Sequence, residues 1–359
     1  MPVLMAIVPL IEPLPAFAFL LFFLMAASVV ALAFSFHFKL VFASFLLVLA
    51  IAHGLARTSS SEPERALQHL STKASQSSAL VTGSTRGIGF EIARLLLKSG
   101  FSVFVHGRSA KDMKLAAEDL NRHGFPGQAI TLDVGCDFAS FDSTKKFAAA
   151  LKKRITKIDL LISNAALLFV DPPTKTSDGF DKMMQVNVIS PYLLEKLLAP
   201  ERVVLVSSMS SAGAPPSAQV NADLTMPLEN VYDDRVYGRT KLAQIALAEA
   251  TNAVAVHPGG CSTGIQQDAM IVPFPFFHPW YWNAVVRPIA LASIKQFWFH
   301  PSFCAEAVVW AAAFGKPTQY LGRFAEVPLM FRHELSNNKT FVKELHSKVE
   351  AVINHQLNV

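Results

Sequence analysis

Tyr237 and Lys241 stand four residues apart in Tyr237-Gly238-Arg239-Thr240-Lys241. On a helix that spacing puts a phenol and an ammonium on one face, one turn apart. A free tyrosine titrates near about 10 and is a poor base at neutral pH. A neighbouring ammonium favours the phenolate and lowers that value. Such a tyrosine gives a proton to a carbonyl oxygen or takes one from an alcohol. A serine hydroxyl nearby would donate to the same oxygen as charge develops there. The candidates lie in Ser207-Ser208-Met209-Ser210-Ser211. Tyr-x-x-x-Lys alone is a pattern that many surface helices carry. Its place in the chain gives it weight: it follows an apolar run ending in Ser207-Ser208 and precedes one ending in Pro258-Gly259.

A second stretch offers a place for a phosphorylated cofactor. Ala79-Leu80-Val81 reads as a buried strand, Thr82-Gly83-Ser84-Thr85-Arg86-Gly87-Ile88-Gly89 as a turn, and Phe90 to Leu97 as a helix. Glycine lets the main chain approach a ligand, and a helix N-terminus offers N–H groups and partial positive charge to a pyrophosphate. The spacing is T-G-x-x-x-G-x-G, not the commoner G-x-G-x-x-G. After the next strand-like run comes His106-Gly107-Arg108-Ser109. An NAD enzyme usually carries an acid here for the ribose hydroxyls, and none is present. Arg108 and Arg86 suit a 2′-phosphate, so the expected cofactor is NADP(H). Hydride transfer would then be the cofactor's own chemistry.

The elements that position these groups alternate. Strand-like runs at 79–81, 101–106, 128–132, 158–163, 202–206 and 253–257 are separated by helical patterns at 111–121, 143–153, 180–198 and 236–251. That order predicts a parallel sheet with helices on both faces, and ligands beyond the C-terminal strand ends. The Gly-rich turn, Arg108, Ser207-Ser208 and Pro258-Gly259 all fall at such ends.

From about Ser78 to Thr263 the chain resembles the short-chain dehydrogenase/reductase family, and the overall pattern, including Phe303 to Gly315 as the following helix, is most similar to the retinol dehydrogenase-like branch. The resemblance implies a doubly wound parallel α/β sheet of the Rossmann type and a catalytic set of Ser208, Tyr237, Lys241 and Asn187. It selects Ser208 as the second serine of its pair. It implies that Asn187 holds a water for proton relay to the lysine. It implies cofactor contacts at Thr82, Gly83, Ser84, Gly87, Ile88 and Gly89, at Asp133 for the adenine, at Asn164-Ala165, and at Pro258, Gly259 and Thr263, whose hydroxyl meets the nicotinamide carboxamide. Lys241 also belongs to that cofactor set. Ala166 stands where the family has glycine, and the links from Leu198 to Arg202 and from Lys241 to the sixth strand are short. The stretch with Pro215, Pro216 and Pro227 reads as a loop insertion.

Hydrophobic residues make up 52% of the 359. Leu14 to Ser35 holds no charged side chain and meets the roughly 20 residues that a bilayer-spanning helix needs. Leu40 to Ala56 is a shorter apolar run. The expected organisation is an N-terminal transmembrane anchor of one or two helices (1–56), a polar linker (57–78), a dehydrogenase/reductase domain (79–330) with an apolar lid (264–302), and a terminal amphipathic helix (331–359). Arg57, Arg65 and Lys73 follow the anchor, which favours a cytosolic face, at the endoplasmic reticulum membrane. On that reading the glycosylation sequon Asn338-Lys339-Thr340 is a chance match.

The lid's Phe274, Trp280 and Trp282, with the anchor, argue for a lipophilic alcohol or carbonyl of retinoid, steroid or long-chain type. No concentrated basic face points to nucleic acid. A homodimer is a possible assembly. Cys136, Cys261 and Cys304 are odd in number and far apart, which predicts no disulfide framework and a reducing compartment. The histidines show no metal-ligand spacing. Two alternatives remain: a membrane-tethered nucleotide-binding scaffold without turnover, and a keto-reductase of lipid biosynthesis.

Overall fold

Short runs of Val, Leu, Ile and Ala, each closed by a polar or glycine residue, build the centre of the molecule. The computed structural model describes residues 61–74, 77–168, 174–214, 224, 234–261, 299–328 and 332–358. All but Ser61 belong to one unit, Glu62–Val359. Its strands are β1 (Ser78–Val81), β2 (Ser102–Val105), β3 (Ala129–Ile130), β4 (Leu160–Ser163), β5 (Arg202–Val206), β6 (Val254–Val256) and β7 (Tyr320–Leu321). They form one parallel sheet in the order β3-β2-β1-β4-β5-β6-β7. The alternation predicted six of these strands. β3 is two residues long against five expected, and β7 is a further edge strand.

Helices cover the sheet: α1 (Glu62–Ser71), α2 (Gly87–Lys98), α3 (Ala110–Asn121), α4 (Phe141–Lys152), α5 (Lys182–Met184), α6 (Ser190–Leu198), α7 (Asp234–Thr251), α8 (Pro301–Phe314) and α9 (Lys339–Asn358). Ser109 and Ser140 accept hydrogen bonds from the N–H groups three residues on, capping α3 and α4. Ile92, Ala93, Leu95, Leu96 and Leu97 of α2 are buried between the sheet, α1 and α8, each larger side chain adding about 1.5–3 kcal/mol by leaving water.

Three findings differ from the sequence reading. The helix expected over 180–198 is broken by a π turn at Gln185–Ile189. Pro191 lacks an N–H and its ring crowds the carbonyl of Asn187, four residues earlier, which disfavours the ordinary register. The stretch read as a linker contains α1, with Ala66 and Leu70 buried and Trp310 Nε1 donating to Glu62 Oε2 at 2.8 Å. Cys261 and Cys304 form a disulfide with Cα atoms 6.3 Å apart, correcting the expectation of unpaired thiols. Spacing missed it because 43 residues separate the two. Among the described residues no helix is long and apolar enough to cross a membrane. The expected anchor (1–56), the loop around Pro215, Pro216 and Pro227, Thr263 and the expected lid up to residue 298 lie outside the described residues.

Candidate active site

All strands run parallel, so the residues following each of them share one edge of the sheet. That edge gathers Thr82, His106, Arg108, Asp133, Asn164, Ser208 and Pro258-Gly259 from six strand ends. Tyr237 and Lys241 arrive on α7, which packs against β5 and β6.

The Gly-rich turn is braced from both sides. Thr82 Oγ1 accepts from the N–H groups of Asn164 and Ala165, both at 2.9 Å, and Asn164 Nδ2 donates to Thr82 O at 2.9 Å. Asn164 therefore serves here by fixing the turn to β4. His106, which the sequence reading left without a role, fixes it to β2. Its Nδ1 accepts from Gly83 N–H at 3.1 Å, its N–H donates to Ser84 Oγ at 3.0 Å, and its carbonyl accepts from Ser84 N–H. Burial holds this imidazole down to about 4, so it is neutral and its Nδ1 is free to accept.

The turn suits a dinucleotide phosphate. Arg86 at the N-cap of α2 makes no side-chain cap, and no acid lies in the first turn. A Cβ on Gly89 would sit 2.3 Å from Gly83 O and 2.6 Å from Asn164 Nδ2, so only glycine fits. Ser163 Oγ, buried at the end of β4, has no hydrogen-bond partner among the described residues. Arg86 and Arg108 are exposed at this edge, as is Asp133. Cys136 N–H donates to Gly107 O at 2.9 Å, which sets the loops carrying Arg108 and Asp133 side by side.

Tyr237 and Lys241 meet as the spacing predicts. Lys241 Nζ lies 5.3 Å from the centre of the Tyr237 ring. Lys241 is 2% exposed. Its Nζ donates to Val206 O at 2.8 Å and to Gln244 Oε1 at 3.0 Å. Burial lowers this amine to about 7. Burial, with Tyr320 adding, pushes the Tyr237 phenol up. The expected lowering by the lysine is therefore not a property of the protein groups alone: one desolvated site penalises both charges.

The three residues between Tyr237 and Lys241 set the pose of the helix. A Cβ on Gly238 would lie 2.4 Å from Ser210 O, so glycine lets the serine turn approach the tyrosine's helix. Arg239 pairs with Asp181 at 3.6 Å, both nearly fully buried. Thr240 Oγ1 donates to Tyr237 O and accepts from Asn187 Nδ2 at 3.0 Å.

Ser208 and Asn187 both make hydrogen bonds within the protein. Ser208 caps the 3-10 turn Met209–Gly213: its Oγ accepts from Ser210 N–H at 3.1 Å and donates to Ser210 Oγ at 3.2 Å. Ser207 Oγ donates to Lys241 O and is turned inward, whereas Ser208 is half-buried. Asn187 Oδ1 accepts from Leu167 N–H and its Nδ2 donates to Leu167 O and Thr240 Oγ1, bracing the loop after β4. Its carbonyl accepts from Gln244 Nε2 at 2.8 Å. The Gln244 amide thus bridges Lys241 Nζ and Asn187 O.

Residues 77–221 match the family described as short chain dehydrogenase. The chain is similar to the short-chain dehydrogenase/reductase prx1 of Penicillium rubens, 30% identical over 206 residues, covering 52% of this chain and 58% of that protein. It is also similar to the dehydrogenase/reductase SDR family member FEY of Arabidopsis thaliana, 30% identical over 234 residues, covering 56% and 60%. It thus spans less than two thirds of these relatives' own lengths. Among solved structures, an uncharacterised protein of Mycobacterium paratuberculosis superposes with a TM-score of 0.55 at 21% identity, covering 78% of this chain and 94% of that one. This structural likeness shows the fold.

Proposed function

From the match of residues 77–221 to the short-chain dehydrogenase/reductase family, we propose that the chain is an NADP-dependent oxidoreductase acting on a lipophilic alcohol or carbonyl. The observation that carries the reading is Lys241 Nζ held 5.3 Å from the Tyr237 ring at the edge where the Gly-rich turn opens. When bound, the nicotinamide supplies or accepts the hydride. The turn Thr82 to Gly89 would hold its pyrophosphate, and Arg86 and Arg108 the 2′-phosphate, in the absence of an acid after β2.

Tyr237, kept protonated by burial, is the proton donor to a carbonyl oxygen, or the acceptor in the reverse direction. Lys241 sits behind the phenol with an amine that titrates near about 7, suited to restoring that proton. Ser208 exchanges its neutral partner Ser210 Oγ for the oxygen on which charge develops. Retinoid, steroid and long-chain lipid substrates are supported by the apolar sequence of 14–35 and the Phe- and Trp-rich stretch after Thr263. Those stretches also support attachment to a membrane.

A tethered nucleotide-binding protein without turnover is the second reading, favoured by one observation: Ser208 Oγ lies 3.2 Å from Ser210 Oγ, a neighbour that can share its hydrogen bond.

The cofactor part is tested by NADPH and NADH binding to the full chain in detergent, read by nicotinamide fluorescence, with Arg108→Glu alongside. NADPH should bind more tightly, and Arg108→Glu should weaken NADPH while leaving NADH unchanged or better. Equal binding of both cofactors to wild type and variant would overturn the NADP assignment.

A further inference from the structure

We propose that Asn338 is an N-glycosylation site and that the domain carrying it faces an oxidising, lumenal compartment. Asn338-Lys339-Thr340 is the single Asn-x-Ser/Thr sequon in the chain. Asn338 lies between the 3-10 turn Glu334–Asn337 and α9, which opens on Lys339 and Thr340, and all three residues are exposed. The Asn338 side chain is divided in its use. Oδ1 accepts from Thr340 N–H at 3.0 Å and from Phe341 N–H at 3.1 Å, capping α9. Nδ2, the atom that takes a glycan, makes no hydrogen bond within the described residues and lies in the open.

The modification is a simple group transfer. Nδ2 forms a bond to the anomeric carbon of a lipid-diphosphate-linked oligosaccharide. The anomeric C–O bond breaks, the lipid diphosphate leaves, and one amide proton is lost. Nothing is oxidised or reduced. Oδ1 keeps both of its donors, so the helix cap survives the glycan.

The second observation is independent. Cys261 and Cys304 are joined, with Cys261 3% and Cys304 0% exposed. Closing this bond takes two electrons and two protons from the thiols, passed by exchange to a protein disulfide of the compartment. Structural disulfides persist in the secretory lumen and are rare in the cytosol. The remaining thiol, Cys136, is buried and pushed up to about 12, first by that burial, so it does not compete for the exchange. The bond and the sequon are on different elements, and one compartment accounts for both. Arg57, Arg65 and Lys73 favour the opposite side by the charge rule. The two sides predict opposite states of Asn338, whatever the protein catalyses.

The test is the full chain made in eukaryotic cells and treated with peptide N-glycosidase in ¹⁸O water, with peptides read by mass spectrometry after alkylation without reduction. The expected result is one glycan on the wild type, Asn338 converted to ¹⁸O-labelled Asp, and Cys261 linked to Cys304. Two variants, Asn338→Asp, which keeps the cap, and Thr340→Ala, which keeps Asn338, should both lose the glycan and stay folded. An unmodified Asn338 with Cys261 and Cys304 both alkylated would overturn the proposal.

Discussion

Gln244 Oε1 accepts from Lys241 Nζ at 3.0 Å, and the same amide donates to Asn187 O. A buried ammonium thus has two oxygens around it, one from the backbone of β5 and one from a side chain a turn away on its own helix. Removing one of them should be felt at the catalytic step. Gln244→Met, similar in size and without polar ends, should lower kcat by roughly ten- to a hundredfold, the worth of about 1.5–3 kcal/mol for a hydrogen bond to a charged group. The pH profile should separate this from mere loss of stability. Burial lowers Lys241 to about 7; Gln244→Met should move the matching inflection down, and Gln244→Glu, which adds a negative partner, should move it up. Profiles that coincide with wild type would show that the amide does not act on the lysine.

Gly238 and Ser210 set a second expectation. A side chain at 238 would press on the Ser210 carbonyl from 2.4 Å. Backbone cannot swing aside as a flexible side chain can. Gly238→Ala should therefore cost about 1–3 kcal/mol, seen as a drop in Tm. It should also shift Ser208 away from Tyr237, with loss of kcat/KM. A variant with wild-type Tm and rate would contradict the close approach.

His106 ties the Gly-rich turn to acid stability. Its value near 4 lies below the ordinary histidine value of 6.5. Between the two, the unfolded chain binds a proton that the folded chain does not, so this contribution is complete above about 6.5 and is lost as pH falls toward 4. His106→Asn keeps an acceptor near Gly83 N–H and does not titrate. Urea denaturation from pH 4 to 7 should show a shallower fall for the variant. Equal slopes would mean that His106 does not carry this dependence.

Much of this was legible in the chain. Runs such as Leu80-Val81 and Leu160-Leu161-Ile162, each ending at a polar or glycine motif, predicted a parallel sheet, and the spacing of Tyr237 and Lys241 predicted their meeting. What stayed hidden depends on contacts between distant segments. Gln244 looks like any polar residue on a helix until Lys241 and Asn187 close around it. Asn187 falls inside an apparently continuous helical pattern, although Pro191 four residues later was a readable warning of the π turn. Cys261 and Cys304 could be paired only by the fold. The short serine turn is held by Ser210 N–H and Gly238, and neither signal shows in the spacing of the serines.

The measurement that bears most directly on the account is oxidation of NADPH, against NADH, by the detergent-solubilised full chain with lipophilic aldehydes and ketones, for wild type and Tyr237→Phe. Turnover with NADPH that falls roughly 100- to 10,000-fold in Tyr237→Phe, while NADPH binding is retained, is the predicted result. Full activity in Tyr237→Phe, or NADPH binding with no turnover of any carbonyl by the wild type, would contradict it.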